Sequence, residues 1–163
     1  MLYSTGKRGF SMSSLLKKFR LTDEFLGAYE KLVIEQVIPY QEKALNDEIE
    51  DAEKSHAIEN FRMAAQMLEK GSCEGEFYGM VFQDSDVAKW LEAAAYSLVH
   101  KPDQELEQRM DDLIALIGRA QHKDGYLNTY FTVKEKDRRW TDLQEAHELY
   151  CACLLYTSDA ADE

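Results

Sequence analysis

DSDVAKWLEAAAYSLVHKPDQELEQRMDDLIALIGRA, Asp84 to Ala120, decides the fold class. Val87, Trp90, Leu91, Ala94, Ala95 and Leu98 recur at spacings of three and four residues. Leu106, Met110, Leu113, Ile114 and Ile117 repeat that rhythm, which Gln121 continues. This is the period that lays one apolar stripe along a helix. Asp84 or Ser85 is placed to cap the first helix, and Lys101-Pro102-Asp103 is the turn between the two. The stretch therefore predicts a helix hairpin.

Outward from the hairpin the pattern continues. Phe25, Tyr29, Leu32, Val33, Gln36, Val37 and Tyr40 predict a helix over 22–46, capped by Thr22 or Asp23. Pro39 inside it should kink or interrupt the helix, because proline lacks the N–H and crowds the carbonyl four residues back. Ile58, Phe61, Ala65 and Leu68 predict a helix over 55–69, ended by Lys70-Gly71-Ser72. A last helix is expected to start near Thr141 to Leu143. Two passages have no helical period: GEFYGMVFQDSD, Gly75 to Asp86, and AQHKDGYLNTYF, Ala120 to Phe131. Both are aromatic and hinged by glycine, and both are read as packed loops. No segment alternates as a strand does. The expected fold is all-α, made of helix hairpins joined by short turns and by longer aromatic loops. In barrels of paired helices such loops gather at one mouth, where a ligand site can form; the plainer reading is a helical scaffold.

Composition narrows the function. The 163 residues carry 19 Lys and Arg against 31 Asp and Glu, a net charge of −12. No basic stripe is present to neutralise phosphates, so nucleic acid is not an expected partner. No apolar run approaches the roughly 20 residues of a membrane helix, nor the shorter run of a signal peptide, so a cytoplasmic protein without membrane contact is expected. Cys73, Cys151 and Cys153 are an odd set, read as reduced thiols; Cys151-Ala-Cys153 without a second pair is a weak metal signal.

Four motifs carry a resemblance. They are VIPYQEKALND (37–47) with KSHAIENF (54–61), GEFYGMVFQDSDVAKWLEAAAYSL (75–98), AQHKDGYLNTYF (120–131) and RWTDLQEAHELYC (139–151). In this order and spacing they resemble the β-L-arabinofuranosidases of glycoside hydrolase family 127, formerly the DUF1680 group. The resemblance covers about Phe19 to Cys151 and implies the N-terminal part of an (α/α)6 barrel, truncated here. It implies a retaining glycosidase that releases β-L-arabinofuranose from plant glycans. A zinc-bound cysteine thiolate would be the nucleophile and a glutamate the acid/base, a division of labour with sound chemistry. In the family those residues lie downstream of this stretch. The resemblance therefore implies no catalytic residue here, no zinc bound by this chain, zinc in the full-length parent, and an L-arabinofuranosyl glycan as its partner. A homodimer is among the assemblies that parent could adopt. The expected organisation is an N-terminal extension at 1–18, disordered, the partial barrel at 19–152, and a non-native tail at 153–163 that resembles translated library adapter. Met12 is an alternative initiator. The runner-up readings are another (α/α)6 carbohydrate-active enzyme and a non-catalytic helical interaction module.

His147, in HELY, matches a family histidine that hydrogen-bonds the arabinofuranose; without the match it reads as a capped or core histidine. Phe82, Gln83 and Asp84 are candidates to stack on a sugar or take its hydroxyls, although Phe82 reads equally as core and Asp84 as a helix cap. Asp86 and Lys89 read as a surface ion pair. Asp124, Gly125, Tyr126 and Asn128 form the second loop, with Gly125 expected at positive φ. Glu148 would suit an acid/base role by its residue type alone, but the family uses a different glutamate. His56 is a weaker site candidate. His100 and His122 are expected at helix ends, where a cation suits the dipole.

Overall fold

A computed structural model describes residues 18–159 of the chain. Residues 1–17 of the expected extension and 160–163 of the expected tail lie outside the described residues. Among the described residues there is no strand, and the helices are α1 (Glu24–Leu32), α2 (Ile38–Leu45), α3 (Ala57–Lys70), α4 (Asp84–His100), α5 (Gln104–Arg119), the short α6 (Thr129–Val133) and α7 (Glu148–Asp159). A π-helical segment, Val33–Val37, joins α1 to α2, and a 3-10 turn spans Lys136–Arg138. None of these helices is long and apolar enough to cross a membrane.

The α4–α5 hairpin forms as its period predicts. The turn is set by Asp103, whose carboxylate accepts from the amides of Glu105 at 3.0 Å and Leu106 at 3.1 Å. That satisfies two of the donors a helix start leaves without partners. Burial sorts the helices into two groups. α5 buries one stripe, Leu106, Met110, Leu113, Leu116 and Ile117, while Ile114 of the same period is left 41% exposed. α3 and α4 bury wide arcs, Ala57 through Ala65 and Asp84 through Ala94 with few interruptions. A one-stripe helix is an outer helix, and a helix buried over most of its surface lies between others. α3 and α4 are the deeply buried helices, and α1, α2 and α5 are the less buried ones.

The single helix expected over 22–46 stays helical throughout and is interrupted by a π turn just before Pro39. The amide of Ile38 bonds to the carbonyl of Val33, five residues back. The chain thereby absorbs one extra residue in a π turn, and proline sits in the first turn of α2, where a missing N–H costs little. The indole of Trp90 donates to the carbonyl of Ile38 at 3.0 Å, tying this turn to α4.

Three expectations need correction. The last helix starts at Glu148, not near Thr141 to Leu143. Residues 141–147 are held as turns because Asp142 takes the amide of Glu145 through its side chain and that of Ala146 through its carbonyl. Neither Asp84 nor Ser85 caps α4: the cap position is Gln83, which makes no side-chain cap bond, and Asp84 is the first helical residue. The loop read over 120–131 also contains a helix start, since Asn128 caps α6 through its side-chain oxygen.

Candidate functional site

α3, α4, α6 and α7 all begin at one end of the molecule, and side chains tie those starts together. Asn60, fully buried in the first turn of α3, brackets Tyr78 by accepting from its amide at 3.3 Å and donating to its carbonyl at 2.8 Å. Asp84 at the start of α4 accepts from the amide of Thr129 at 2.8 Å and from its hydroxyl at 2.5 Å, fixing α6. Glu148 at the start of α7 accepts from the hydroxyl of Tyr126 at 2.5 Å and from the amide of Trp140 at 2.8 Å, tying the second aromatic loop to the turn at Trp140. The thiol of Cys151, one turn further along α7, packs against α4, where the Ser85 amide points at it.

On this scaffold the rings of Phe82, His147 and Tyr150 form a cluster. Phe82 and His147 lie 5.1 Å apart between centroids, tilted by 46°. Tyr150 stands edge-on to both, at 6.4 Å and 6.1 Å. Phe82 and His147 are half-buried, and Tyr150 is exposed. The sequence reading missed Tyr150, although its position one helical turn after His147 placed it on the same face. Lys89 lies 5.5 Å from the centre of the Tyr150 ring, 3.2 Å from the Ser85 hydroxyl and 3.3 Å from Asp86, so the expected Asp86–Lys89 pair forms beside the cluster.

His147 sits in left-handed backbone, φ 55°, directly before α7. A side chain there costs of order 1–2 kcal/mol and persists only where neighbours fix it. Two contacts do so here: the His147 carbonyl accepts from the Cys151 amide at 3.1 Å, and Nδ1 lies 2.7 Å from the carbonyl of Glu145. A carbonyl only accepts, so Nδ1 carries the proton, and in the neutral ring Nε2 is left as an acceptor. His147 is thus left with Nε2 as a hydrogen-bond acceptor.

The other candidates are placed differently. Gln83 folds beneath the Gly79 turn: its Oε1 accepts from the Met80 amide at 3.2 Å and its Nε2 is 3.4 Å from Asp86. Gly79 has φ +100°, and a Cβ there would come within 2.7 Å of Gln83 Oε1, so glycine is required. Asp84 is buried, with both oxygens taken by Thr129, and burial raises its carboxyl to about 6. Burial, with the nearby Asp84, pushes the Cys151 thiol up to about 12, which leaves it an unreactive thiol. Glu148 is 2% exposed and spends both oxygens on Tyr126 and Trp140, a structural use of a residue whose type alone suggested acid/base work. Cys73 is half-buried and Cys153 is exposed.

In the second loop Gly125 takes φ +89°, Asp124 accepts from the Tyr126 amide, and Asn128 is buried as a cap. His56 pairs with Asp47 at 2.7 Å and meets the Tyr78 ring edge-on at 4.9 Å, on the same end of the molecule as the cluster. His100 lies in the last turn of α4, 3.7 Å from Glu30, as its helix-end reading expected. His122 differs: burial and then the Arg139 charge lower its pKa, which disfavours its cationic form. Among the described residues no group of three or more His, Cys, Asp or Glu could hold a metal ion.

The model of the β-L-arabinofuranosidase GH127 catalytic domain matches residues 18–161, a span that includes most of the expected tail. The non-reducing end β-L-arabinofuranosidase of Bifidobacterium longum subsp. longum is 42% identical over an alignment of 146 residues that covers 80% of this chain and 21% of that protein. The crystal structure of a GH127 β-L-arabinofuranosidase from Geobacillus stearothermophilus T6 superposes with a TM-score of 0.82 at 60% identity, over 87% of this chain and 22% of that one. A second GH127 β-arabinofuranosidase superposes with a TM-score of 0.71 at 27% identity, over 90% of this chain and 25% of its own. The chain thus spans between a fifth and a quarter of the length of these relatives.

Proposed function

This chain belongs to the family of β-L-arabinofuranosidase GH127 catalytic domains, and on that premise we propose that it supplies part of the sugar-binding end of a retaining glycoside hydrolase acting on β-L-arabinofuranosyl glycans. The observation that carries the reading is the Phe82–His147–Tyr150 cluster at the end where the deeply buried helices start. An aromatic face and a fixed acceptor are what a furanose needs: the ring's C–H face packs on the aromatic, and a hydroxyl donates to His147 Nε2. Gln83 holds Asp86 only weakly and can turn its amide to a second hydroxyl. Asp84 serves the site from below by holding Thr129, and so the second loop, in place.

The zinc-bound cysteine nucleophile and the glutamate acid/base of the family reading belong, on this proposal, to parts of the enzyme outside this chain. When bound there, zinc would keep a cysteine deprotonated at neutral pH. The residues described here bind and orient the sugar and exclude water from one side of it.

The test grafts residues 19–151 into the Geobacillus enzyme in place of the matching segment and compares His147→Ala with the unsubstituted graft. His147→Ala should lower kcat/KM on an arabinofuranoside by on the order of 10- to 1000-fold, roughly 1.4 to 4 kcal/mol. Tm and zinc content should be unchanged. Full activity at full stability would refute the assignment. Loss of Tm with activity retained per folded molecule would make His147 a packing residue, and loss of zinc would make it a ligand.

A further inference from the structure

We propose that His56 and Tyr78 form a second carbohydrate contact at the same end of the molecule, for the sugar joined to the arabinofuranose on its leaving-group side. The inference rests on the reading of this end as sugar-binding and extends it to a further ring. His56 and His147 are built alike. Each stands directly before a helix, His56 before α3 and His147 before α7, in left-handed backbone with φ of 51° and 55°. Nδ1 of each lies 2.7 Å from an acceptor, Asp47 Oδ2 for His56 and the Glu145 carbonyl for His147. Each ring meets an aromatic one, Tyr78 at 4.9 Å and Phe82 at 5.1 Å. A carboxylate only accepts, so His56 Nδ1 carries the proton, and in the neutral ring Nε2 is an acceptor.

The fold does not call for a histidine at this position. Residues 47–55 are closed into a loop by Asp47 Oδ1, which takes the amides of Ser55 at 2.7 Å and His56 at 2.9 Å. The His56 side chain makes no cap bond to α3. Left-handed backbone favours glycine or asparagine over an imidazole. Asp47 is itself left-handed, φ 62°, so two strained residues hold one ring in a fixed orientation, with the imidazole 37% exposed. Strained positions that their surroundings over-determine gather at ligand clamps.

Tyr78 supplies the flat face. Buried Asn60 brackets its backbone, its hydroxyl donates to Glu53 at 2.8 Å, and the residue is left 43% exposed. The C–H face of a sugar packs on such a ring while a hydroxyl donates to the fixed acceptor beside it. Tyr78 and Phe82 are four residues apart, so even a fully extended chain sets them no more than about 14 Å from each other. One short glycan can therefore touch both.

The experiment uses the graft of residues 19–151 in the Geobacillus enzyme with two substrates, a methyl β-L-arabinofuranoside and a β-L-arabinofuranosyl disaccharide. His56→Asn keeps a residue that tolerates left-handed backbone but is too short to place an acceptor where Nε2 lies. It should raise KM for the disaccharide about tenfold and leave kcat in place, the mark of lost binding shared by ground and transition states. Both constants for the methyl glycoside should stay within about twofold, with Tm unchanged. Tyr78→Ala should act in the same way, and Tyr78→Phe, which keeps the ring, should not. An unchanged disaccharide KM in His56→Asn, or an equal rise on both substrates, would overturn the inference. So would a fall in Tm with activity retained per folded molecule. His147→Ala should slow both substrates alike; if it slows neither while His56→Asn still raises the disaccharide KM, the second contact stands and the His147 assignment falls. A graft that turns over neither substrate would overturn both.

Discussion

Burial holds the carboxyl of Asp84 at about 6, against 3.8 in an unperturbed carboxyl, because the charged form gives up hydration that two bonds from Thr129 only partly replace. Between pH 4 and 6 the folded chain therefore keeps a proton that the unfolded chain has released. The contribution to stability is greatest below the unfolded value and is lost as pH rises through about 6. Roughly two units correspond to about 3 kcal/mol. Asp84→Asn never charges, and the Thr129 hydroxyl can reverse its proton to accept from the amide. Urea midpoints measured from pH 4 to 7 should fall more steeply in the parent than in the variant; parallel curves would show that this carboxyl is not the source. His147 makes the complementary point. The family motif singled it out, but the tautomer it presents follows from the Glu145 carbonyl, which lies two residues away in a turn that no helical period announces.

Among elements, the hairpin was the most legible, since local rules write both its stripes and its turn. Asp103 is the local device that starts α5, and Asp103→Ala should cost about 1 kcal/mol. Hydrogen exchange at the amides of Glu105 and Leu106 should then quicken by about fivefold, with the amides of α4 unaffected. Unchanged exchange at both would mean that water replaces the cap without loss. Pro39 was legible as an interruption, but its resolution into a π turn was not. Nor was the bond from Trp90, 52 residues away, that ties the Ile38 carbonyl to α4. The start of α7 was misplaced for a similar reason. Residues 141–147 contain nothing that forbids a helix, and they are turned by the Asp142 bonds and by Glu148 drawing in Trp140.

At the scale of the whole molecule, a net charge of −12 keeps copies apart while the exposed Phe25, Tyr29 and Leu32 of α1 invite association. The balance should be sensitive to screening, because the Debye length falls from about 10 Å at 0.1 M salt to about 3 Å at 1 M. Light scattering of the chain alone should rise with salt at pH 7, and should rise again as pH approaches the isoelectric point near 4.8. The Phe25→Glu, Tyr29→Glu and Leu32→Glu variant should respond to neither. A parent chain that stays monomeric under both conditions would show that these side chains are not adhesive.

The sequence by itself determined the all-α class, the helices from Glu24 to Arg119 to within a few residues, and membership of a family through four ordered motifs. These follow from period, capping and turn chemistry, which act between residues near in the chain. Tertiary structure alone decided which candidate groups cluster together and which are turned inward. Phe82 and Tyr150 flank His147 in a ring cluster, while Asp84 and Glu148, chemically the more suggestive residues, are turned inward and used up on Thr129, Tyr126 and Trp140. A carboxylate's role is set by which donors the fold brings to it. Those donors lie 45 residues away for Asp84 and up to 22 for Glu148, beyond the reach of any local pattern.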